Sequence, residues 1–263
     1  MKVWTRDVLS EFVRAKLDGR RLIVVSNREP FQHRRANGSI ECVQPASGMA
    51  SALDPVMRAC GGLWIAHGSG DADRQTVDYR DHVRVPPDSN EYTLRRVWLP
   101  KKEEEGHYAG LSNQALWPLC HMSFTRPVFD SQHWAMYRRV NERFAEAILQ
   151  EAGEDPAFVF IQDYHFALLP RMLRDAGANL VIAQFWHIPW PNRETFSSCP
   201  WQSDILDGML GNDLLGFHLQ QHCQNFIDTV TGSLEARIDA SGAEVCFGGH
   251  STVVRPFPIG IDF

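Results

Sequence analysis

The chain has 263 residues, of which 44% are hydrophobic, and a formal net charge of -6 at pH 7. That apolar content allows a sizeable core and excludes an intrinsically disordered chain. The acidic balance argues against a surface that binds nucleic acid or anionic membranes. No apolar run approaches the roughly 20 residues that a membrane-spanning helix needs, and the N-terminal residues lack a signal-peptide core. We therefore expect a cytoplasmic protein with no membrane or nucleic-acid partner.

Neither the cysteines nor the histidines are spaced like metal ligands. The six cysteines include no Cys-x-x-Cys pair, and the 11 histidines include no His-Glu-x-x-His motif. The spacing therefore predicts reduced, mostly buried thiols and no metal site.

Helical and strand patterns alternate along the chain. Apolar residues at helical spacing predict a helical lead-in over residues 1–19, and a β-branched run predicts a strand at 21–26. The Asn37-Gly38 pair predicts a turn within a hairpin or mobile loop over residues 29–45. The later predicted elements are helices at 48–60, 130–151, 165–176, 200–210 and 219–230, strands at 63–66, 95–99, 157–161, 180–185 and 214–217, and a terminal hairpin of 244–247 with 252–255.

This alternation is typical of βαβ units. It predicts an α/β fold with a Rossmann-like, doubly wound and mostly parallel sheet. No repeat, low-complexity segment or linker interrupts the chain. We therefore expect residues 20–263 to form one Rossmann-like domain after the lead-in.

Polar and aromatic residues follow the predicted strands. In an open α/β sheet, ligands bind beyond the carboxyl ends of the strands. The residues delivered there are Ser26, Asn27 and Arg28, the segments 67–70 and 162–165, the pair Trp186 and His187, and His218. An arginine fork, an aspartate, histidines and aromatic platforms suit a phosphorylated, hydroxyl-rich ligand. The loop at 185–191, with its two prolines and two tryptophans, would hold His187 rigidly.

The candidate residues also have structural alternatives. Arg28 would be a surface ion-pair partner, Asp163 a helix cap, and His187 a hydrogen-bonded structural histidine. These alternatives weaken when several candidates converge on one rim of the sheet.

Three further candidate residues also have a structural alternative. Trp64 and Trp117 would be core residues, and Gly48 an ordinary turn glycine. The functional alternative for Gly48 is a backbone N–H that faces a phosphate at a helix N-terminus.

Eight motifs, taken in order and spacing, resemble the trehalose-6-phosphate synthase family of retaining glycosyltransferases over about residues 21–262. They begin at Val25, Gly61, Ser112, Val140, Gln162, His187, Asp213 and Pro258. The resemblance implies the N-terminal half of a GT-B fold. It also implies transfer of glucose from UDP-glucose to glucose 6-phosphate, which gives α,α-trehalose 6-phosphate with retention and needs neither metal nor organic cofactor.

The resemblance also implies roles for single residues. It assigns the acceptor-binding residues as Arg28, Tyr108, Trp64, Trp117 and Asp163. It makes His187 and Asp163 the catalytic pair, and it places Gly48 and His187 beside the donor. The sugar phosphate and the nucleotide-sugar are the expected ligands.

The chain departs from the family pattern at several positions. Ser47 precedes Gly48 where relatives often carry a second glycine, Gln162 stands where many carry His, and Trp190 where many carry Phe. Segment 67–73 is unusually rich in His and Asp. Two alternatives therefore stay open, namely a sister transferase with an acceptor such as glycerol 3-phosphate, and a non-catalytic sugar-phosphate-binding module.

Residues 258–262 match the family's crossing point into a second domain. We expect the C-terminal nucleotide-sugar domain to be absent from this chain, and the chain alone to have little transferase activity. The expected protein partners are that missing domain or a second copy in a homo-oligomer.

Overall fold

The computed structural model describes residues 5–258, so the motif at 258–262 lies almost wholly outside the described residues. Within them, strands and helices alternate as the sequence predicts. The strands are β1 (Arg21–Arg28), β2 (Gln32–Ala36), β3 (Ser39–Val43), β4 (Leu63–His67), β5 (His82–Val85), β6 (Tyr92–Val97), β7 (Ala157–Gln162), β8 (Leu180–Phe185), β9 (Leu214–Phe217), β10 (Arg237–Ile238), β11 (Glu244–Phe247) and β12 (His250–Pro256). The α-helices are α1 (Arg6–Leu17), α2 (Gly48–Cys60), α3 (Lys101–Glu104), α4 (Trp117–Cys120), α5 (Ser131–Ala152), α6 (Leu169–Asp175), α7 (Arg193–Phe196), α8 (Gln202–Met209) and α9 (Gln220–Ser233). A π-helix, Glu105–Leu116, joins α3 to α4.

Ten strands form one sheet in the order β10-β11-β12-β9-β8-β7-β1-β4-β6-β5. The strands from β12 to β6 in that order run parallel, and antiparallel strands lie at both edges. The chain builds outward from β1 through β4 to β6, and then returns to β7 on the other side of β1. The order therefore reverses between β1 and β7, and the crevice at the carboxyl ends of these two strands is where such sheets bind ligands.

The central strands are buried on both faces because helices pack on each side. One face of β1 and β7 packs into a core shared with α5 and α6, where Ile23 and Val159 are fully buried. The opposite face of β1 packs with α2 around Trp64 and Met57. A third core joins α8 and α9 to the β8–β9 side. Strands with apolar side chains on both faces are typical of a parallel sheet, and this burial holds the strand ends in fixed positions.

Local signals define the helix ends. Ser47 caps α2 through its hydroxyl, which accepts a hydrogen bond from the Ala50 N–H. Asp130 caps α5 in the same way, and α5 stops at Gly153, whose φ is 57°. Among the described residues, none of these helices is both long and apolar enough to cross a membrane.

Most predicted elements are found within a few residues of their expected positions. The hairpin predicted over 29–45 is β2–β3, and Asn37 and Gly38 occupy its turn with φ of 50° and 80°. Three details differ. The strand expected at 95–99 is Tyr92–Val97, the helix expected at 165–176 begins only at Leu169, and β12 of the terminal hairpin also pairs in parallel with β9.

Candidate active site

The point where the strand order reverses carries a polar cavity of about 350 Å³. We call it the switch-point cavity. Its walls include the end of β1, the start of α2, the π-helix and the end of β7. The lining residues that matter most are Ser26, Arg28, Gly48, Tyr108, Gln162 and Asp163. The structure thus brings together four of the predicted site residues, Arg28, Gly48, Tyr108 and Asp163.

Arg28 and Tyr108 form the cationic wall of this cavity. An Nη2 hydrogen of Arg28 is donated to the Tyr108 hydroxyl at 2.7 Å, and the tyrosine ring stacks on His165 with 5.6 Å between ring centroids. The backbone of Arg28 is fixed as well, since the Ser26 hydroxyl donates to the Arg28 carbonyl at 2.6 Å. One N–H of the guanidinium is therefore used for positioning, and others stay available for an anion such as a phosphate.

Asp163 lies directly beyond β7 in a strained backbone conformation, with φ 73° and ψ 177°. Its carboxylate accepts backbone hydrogen bonds from Tyr164 at 2.9 Å and from His187 at 3.2 Å. Burial nevertheless raises the pKa of Asp163 from 3.8 to about 7, since desolvation outweighs the two N–H donors. A carboxyl group with such a pKa takes up and releases a proton readily near neutral pH, and it can form a strong hydrogen bond.

Asp163 is also a helix cap, which was its structural alternative in the sequence. The Asp163 carboxylate accepts from the Tyr164 N–H at the start of a short 3₁₀ turn. Capping and ligand binding do not compete here, because the side chain also lines the switch-point cavity.

His187 lies next to Asp163, but it does not line the switch-point cavity. It lines an apolar cavity of about 380 Å³ together with Phe160 and Phe185. The Nε2 atom of His187 lies 3.0 Å from Oε1 of Gln162, a residue that lines both cavities. Burial, with His218 nearby, lowers the pKa of His187 to about 4, so the imidazole is neutral at pH 7. Because an amide oxygen only accepts, Nε2 carries the ring hydrogen.

The two predicted tryptophans lie outside this arrangement. Trp64 is fully buried in the core, and its indole N–H donates to the Ser26 hydroxyl at 2.8 Å. Trp117 is 43% exposed, stacks on His121, and lines neither of the two cavities. Trp64 thus matches its structural alternative, because both faces of β4 are covered. Contact of either tryptophan with a sugar stays a prediction that this geometry does not support.

Gly48 is the first residue of α2, and it lines the switch-point cavity. The α2 N-terminus therefore offers backbone N–H groups and the positive end of a 13-residue helix dipole to that cavity. A Cβ atom built at Gly48 would meet nothing within 4 Å. The fold itself therefore does not require glycine at this position, which leaves close approach of a ligand as a reason for it.

Gln162 and Tyr164 belong to the site although no role was predicted for them. Gln162 connects the two cavities and holds His187, and the Tyr164 hydroxyl donates to Asn113 at 3.1 Å. Their position at the carboxyl end of β7, with Gln162 as its last residue, was the available signal. Among residues 5–258, no group of three or more His, Cys, Asp and Glu side chains is arranged to hold a metal ion.

Comparison with known proteins identifies the family to which this chain belongs. The model of glycosyltransferase family 20 matches residues 20–263. The trehalose-6-phosphate synthase of Mycolicibacterium vanbaalenii is 37% identical over 256 residues, which cover 94% of this chain and 51% of that protein. The Mycobacterium avium synthase is 38% identical over 253 residues, with coverages of 91% and 49%. The chain thus spans about half the length of the curated relatives it matches.

Solved structures give the same result for the fold. A Burkholderia xenovorans α,α-trehalose-phosphate synthase in complex with glucose 6-phosphate has a TM-score of 0.74 and 26% identity, over 92% of this chain and 50% of its own. An Escherichia coli protein bound to UDP-2-fluoro glucose has a TM-score of 0.74 and 28% identity, over 92% of this chain and 49% of its own. The fold is confirmed as the Rossmann-like, mostly parallel α/β architecture found in these GT-B enzymes. With its matched model, relatives and structures, the chain belongs to glycosyltransferase family 20.

Proposed function

We propose that this chain forms the acceptor-binding half of a retaining glycosyltransferase that moves glucose from UDP-glucose to glucose 6-phosphate. The product would be α,α-trehalose 6-phosphate, as the names of the matched synthases indicate for those proteins. In this proposal the reaction uses no metal ion and no organic cofactor. All six cysteines are free thiols, which fits a cytoplasmic protein.

One observation supports the proposal most strongly. The Arg28–Tyr108 pair and Asp163 all line the switch-point cavity at the edge of the sheet. The guanidinium would bind the acceptor phosphate, and the carboxyl group would bind a sugar hydroxyl. A cavity of about 350 Å³ with one group for a phosphate and another for a hydroxyl would match a hexose phosphate in both size and polarity.

The chemistry proposed for Asp163 follows from its raised pKa. The Asp163 carboxyl group has a pKa of about 7, and its ionised form would accept a strong hydrogen bond from the attacking acceptor hydroxyl. His187 is neutral, and its ring Nε2–H is already donated to Gln162, so its role would be to shape the donor side without carrying charge. The site would then act by positioning and by electrostatic stabilisation.

The donor side of the proposal depends on Gly48 and the α2 N-terminus. The backbone N–H groups there would face the diphosphate of the nucleotide-sugar. The relatives are about twice as long as this chain, so we propose that a second domain supplies the remaining donor contacts.

Calorimetric titration of glucose 6-phosphate into the protein tests the acceptor site. Arg28→Ala should weaken binding by roughly 1.5–3 kcal/mol, because a charge-assisted phosphate contact is lost. Arg126→Ala is the matched control, since Arg126 is exposed and lines neither cavity. Equal affinities of Arg28→Ala and Arg126→Ala would rule out the assigned phosphate site.

Glycerol 3-phosphate serves as the competing acceptor in the same titration. Tighter binding of glycerol 3-phosphate than of glucose 6-phosphate would favour the sister transferase over a trehalose-phosphate synthase. In a chain extended to the length of the relatives, release of UDP with either acceptor would separate both transferases from a non-catalytic binding module.

A further inference from the structure

A cavity of about 460 Å³ lies at the amino ends of β1 and β4, away from the switch-point cavity. It is lined by the end of α1, the start of β1 and the end of α2. We call it the arginine cavity, after Arg14, Arg20 and Arg21, which line it. β1 begins here at Arg21 and ends at Arg28 in the switch-point cavity, roughly 23 Å away at about 3.3 Å per residue. The two cavities are therefore separate.

The α1 wall of the arginine cavity is held in place by polar contacts. The guanidinium of Arg6 donates to the Arg58 carbonyl of α2 at 2.8 Å and pairs with Glu91 at 2.9 Å. At the other end of α1, Asp18 and Gly19 form a left-handed turn, with φ of 49° and 79°. The family model begins only at residue 20. This wall is therefore built by a segment that the family model does not include.

Two of the three guanidinium groups keep N–H donors for a ligand. Arg14 is exposed, and within residues 5–258 its guanidinium makes no hydrogen bond or ion pair. Arg20 donates from Nη1 to the Leu17 carbonyl at 3.4 Å, which leaves its Nη2 group without a partner in the described part of the chain. Arg21 pairs with Glu151 at 3.5 Å, although 42% of its side chain is exposed. Arg14 and Arg20 can therefore donate to an anion, and Arg21 adds positive charge.

The negative groups nearby do not cancel these charges. The Asp18 carboxylate lies 3.9 Å from Arg20, but its side chain is 90% exposed, so solvent screens it. Glu151 is only 3% exposed and shares its carboxylate between Arg21 and Arg95. The carboxyl ends of α1 and α2 add about half a negative charge each. Three guanidinium groups outweigh these contributions, so the arginine cavity attracts an anion.

The rest of the lining is apolar, which restricts the ligand further. Leu17, Leu22 and Cys60 line the arginine cavity beside the charged groups. A phosphate ion on Arg14 and Arg20 would fill only part of the volume and would leave this apolar surface in contact with water. A ligand with an apolar group attached to its phosphate would cover both parts of the lining.

We propose that the arginine cavity binds a phosphate monoester whose organic part is apolar. Arg14 and Arg20 donate charge-assisted hydrogen bonds to the phosphate, and the organic part packs on Leu17 and Leu22. The proposal uses none of the residues assigned to the switch-point cavity. It therefore goes beyond the proposed function and does not depend on it.

The test follows two backbone amides by NMR in protein labelled with ¹⁵N-glycine. Gly19 lines the arginine cavity and Gly48 lines the switch-point cavity, so each reports on one site. Their resonances are assigned by their loss in Gly19→Asn, which tolerates the left-handed backbone, and in Gly48→Ala. Phenyl phosphate and inorganic phosphate are titrated separately at pH 7.5. We expect a saturable shift of the Gly19 resonance with both, and a dissociation constant roughly tenfold lower for phenyl phosphate.

Two matched variants test the role of Arg14. Arg14→Gln should raise the dissociation constant of phenyl phosphate roughly tenfold, because a charge-assisted contact with the phosphate is lost. Lys16→Gln is the control, since Lys16 is exposed in the same last turn of α1 but does not line the cavity. It removes the same charge from the same helix, and it should leave the dissociation constant unchanged.

Arg28→Ala separates the two cavities. We expect it to leave the Gly19 shift unchanged and to remove any shift of Gly48 that phosphate causes. Loss of glucose 6-phosphate affinity in Arg28→Ala tests the proposed function separately.

Four results would overturn the proposal. They are the lack of a saturable Gly19 shift with either probe, an equal effect of Arg14→Gln and Lys16→Gln, equal affinity for phenyl phosphate and inorganic phosphate, and loss of the Gly19 shift in Arg28→Ala. The third would mean that the apolar lining does not contact the ligand, and the last that the shift comes from the switch-point cavity.

Discussion

Asp163→Asn should stabilise the folded protein, and the gain should grow with pH. The folded state holds the Asp163 proton more tightly than the unfolded chain, since the pKa rises from 3.8 to about 7. The carboxylate therefore costs little stability below about pH 4, and its cost increases until the pH passes about 7. At 1.36 kcal/mol per pKa unit the full cost is on the order of 4 kcal/mol. This is an upper bound, because the side chain keeps some solvent contact at the cavity.

Asparagine removes that cost and keeps both hydrogen bonds. Its amide oxygen accepts from the N–H groups of Tyr164 and His187 as the carboxylate does. Urea unfolding of both proteins at pH 5 and pH 8 measures the difference in unfolding free energy. We expect the advantage of Asp163→Asn to be about 2 kcal/mol larger at pH 8 than at pH 5. An advantage that does not change with pH would refute the raised pKa.

The other predictions use the same unfolding assay, together with kinetics for Gly48→Ala and ligand titration for Trp64→Phe. Gly48→Ala should raise the unfolding free energy by up to about 1 kcal/mol, because alanine favours helix. Under the proposed function it should also raise KM for the donor in a chain extended to the length of the relatives, and an unchanged KM would argue against close donor approach. Gly208→Ala should lower the unfolding free energy by about 1–3 kcal/mol, since its Cβ would lie 2.3 Å from the Ala167 carbonyl oxygen; a neutral effect would contradict that packing. Trp64→Phe should lower the unfolding free energy by about 1–2 kcal/mol, because it removes the hydrogen bond to Ser26. If Ser26 positions Arg28, titration should also show weaker glucose 6-phosphate binding.

The parts of the fold that were predictable are those with local signals. The strands β1, β7, β8 and β9 are short apolar runs next to turn residues, so their type and order follow from the sequence. The rule that ligands bind at the carboxyl ends of such strands then selects Arg28 and Asp163, although they are 135 positions apart in the chain. Two independent local patterns and one topological rule were therefore sufficient to place both residues at the switch-point cavity.

Long-range contacts account for what was missed. β5 is a four-residue edge strand with a charged residue inside it, and it is held by contacts such as the 2.8 Å pair of His82 with Glu151 on α5. The buried group of Glu29, Asp73 and Arg96 joins three separate segments, and no spacing rule connects them. The two alternatives for Trp64 stayed open for a related reason, since its strand identity says nothing about which face a helix will cover.

The conformation of Asp163 shows that its strand end is shaped for more than stability. A φ of 73° with a ψ of 177° lies in a region that is almost restricted to glycine, and it costs about 1–3 kcal/mol for other residues. The same residue bears a buried carboxyl group, and the neighbouring His165 and His187 are held neutral, with their pKa values lowered to about 3 and about 4. A glycine would relieve the strain, and an asparagine would relieve the charge. Both costs fall on one residue, and the proposed function accounts for them, because a carboxyl group fixed in this direction would offer a strong acceptor to a hydroxyl in the switch-point cavity.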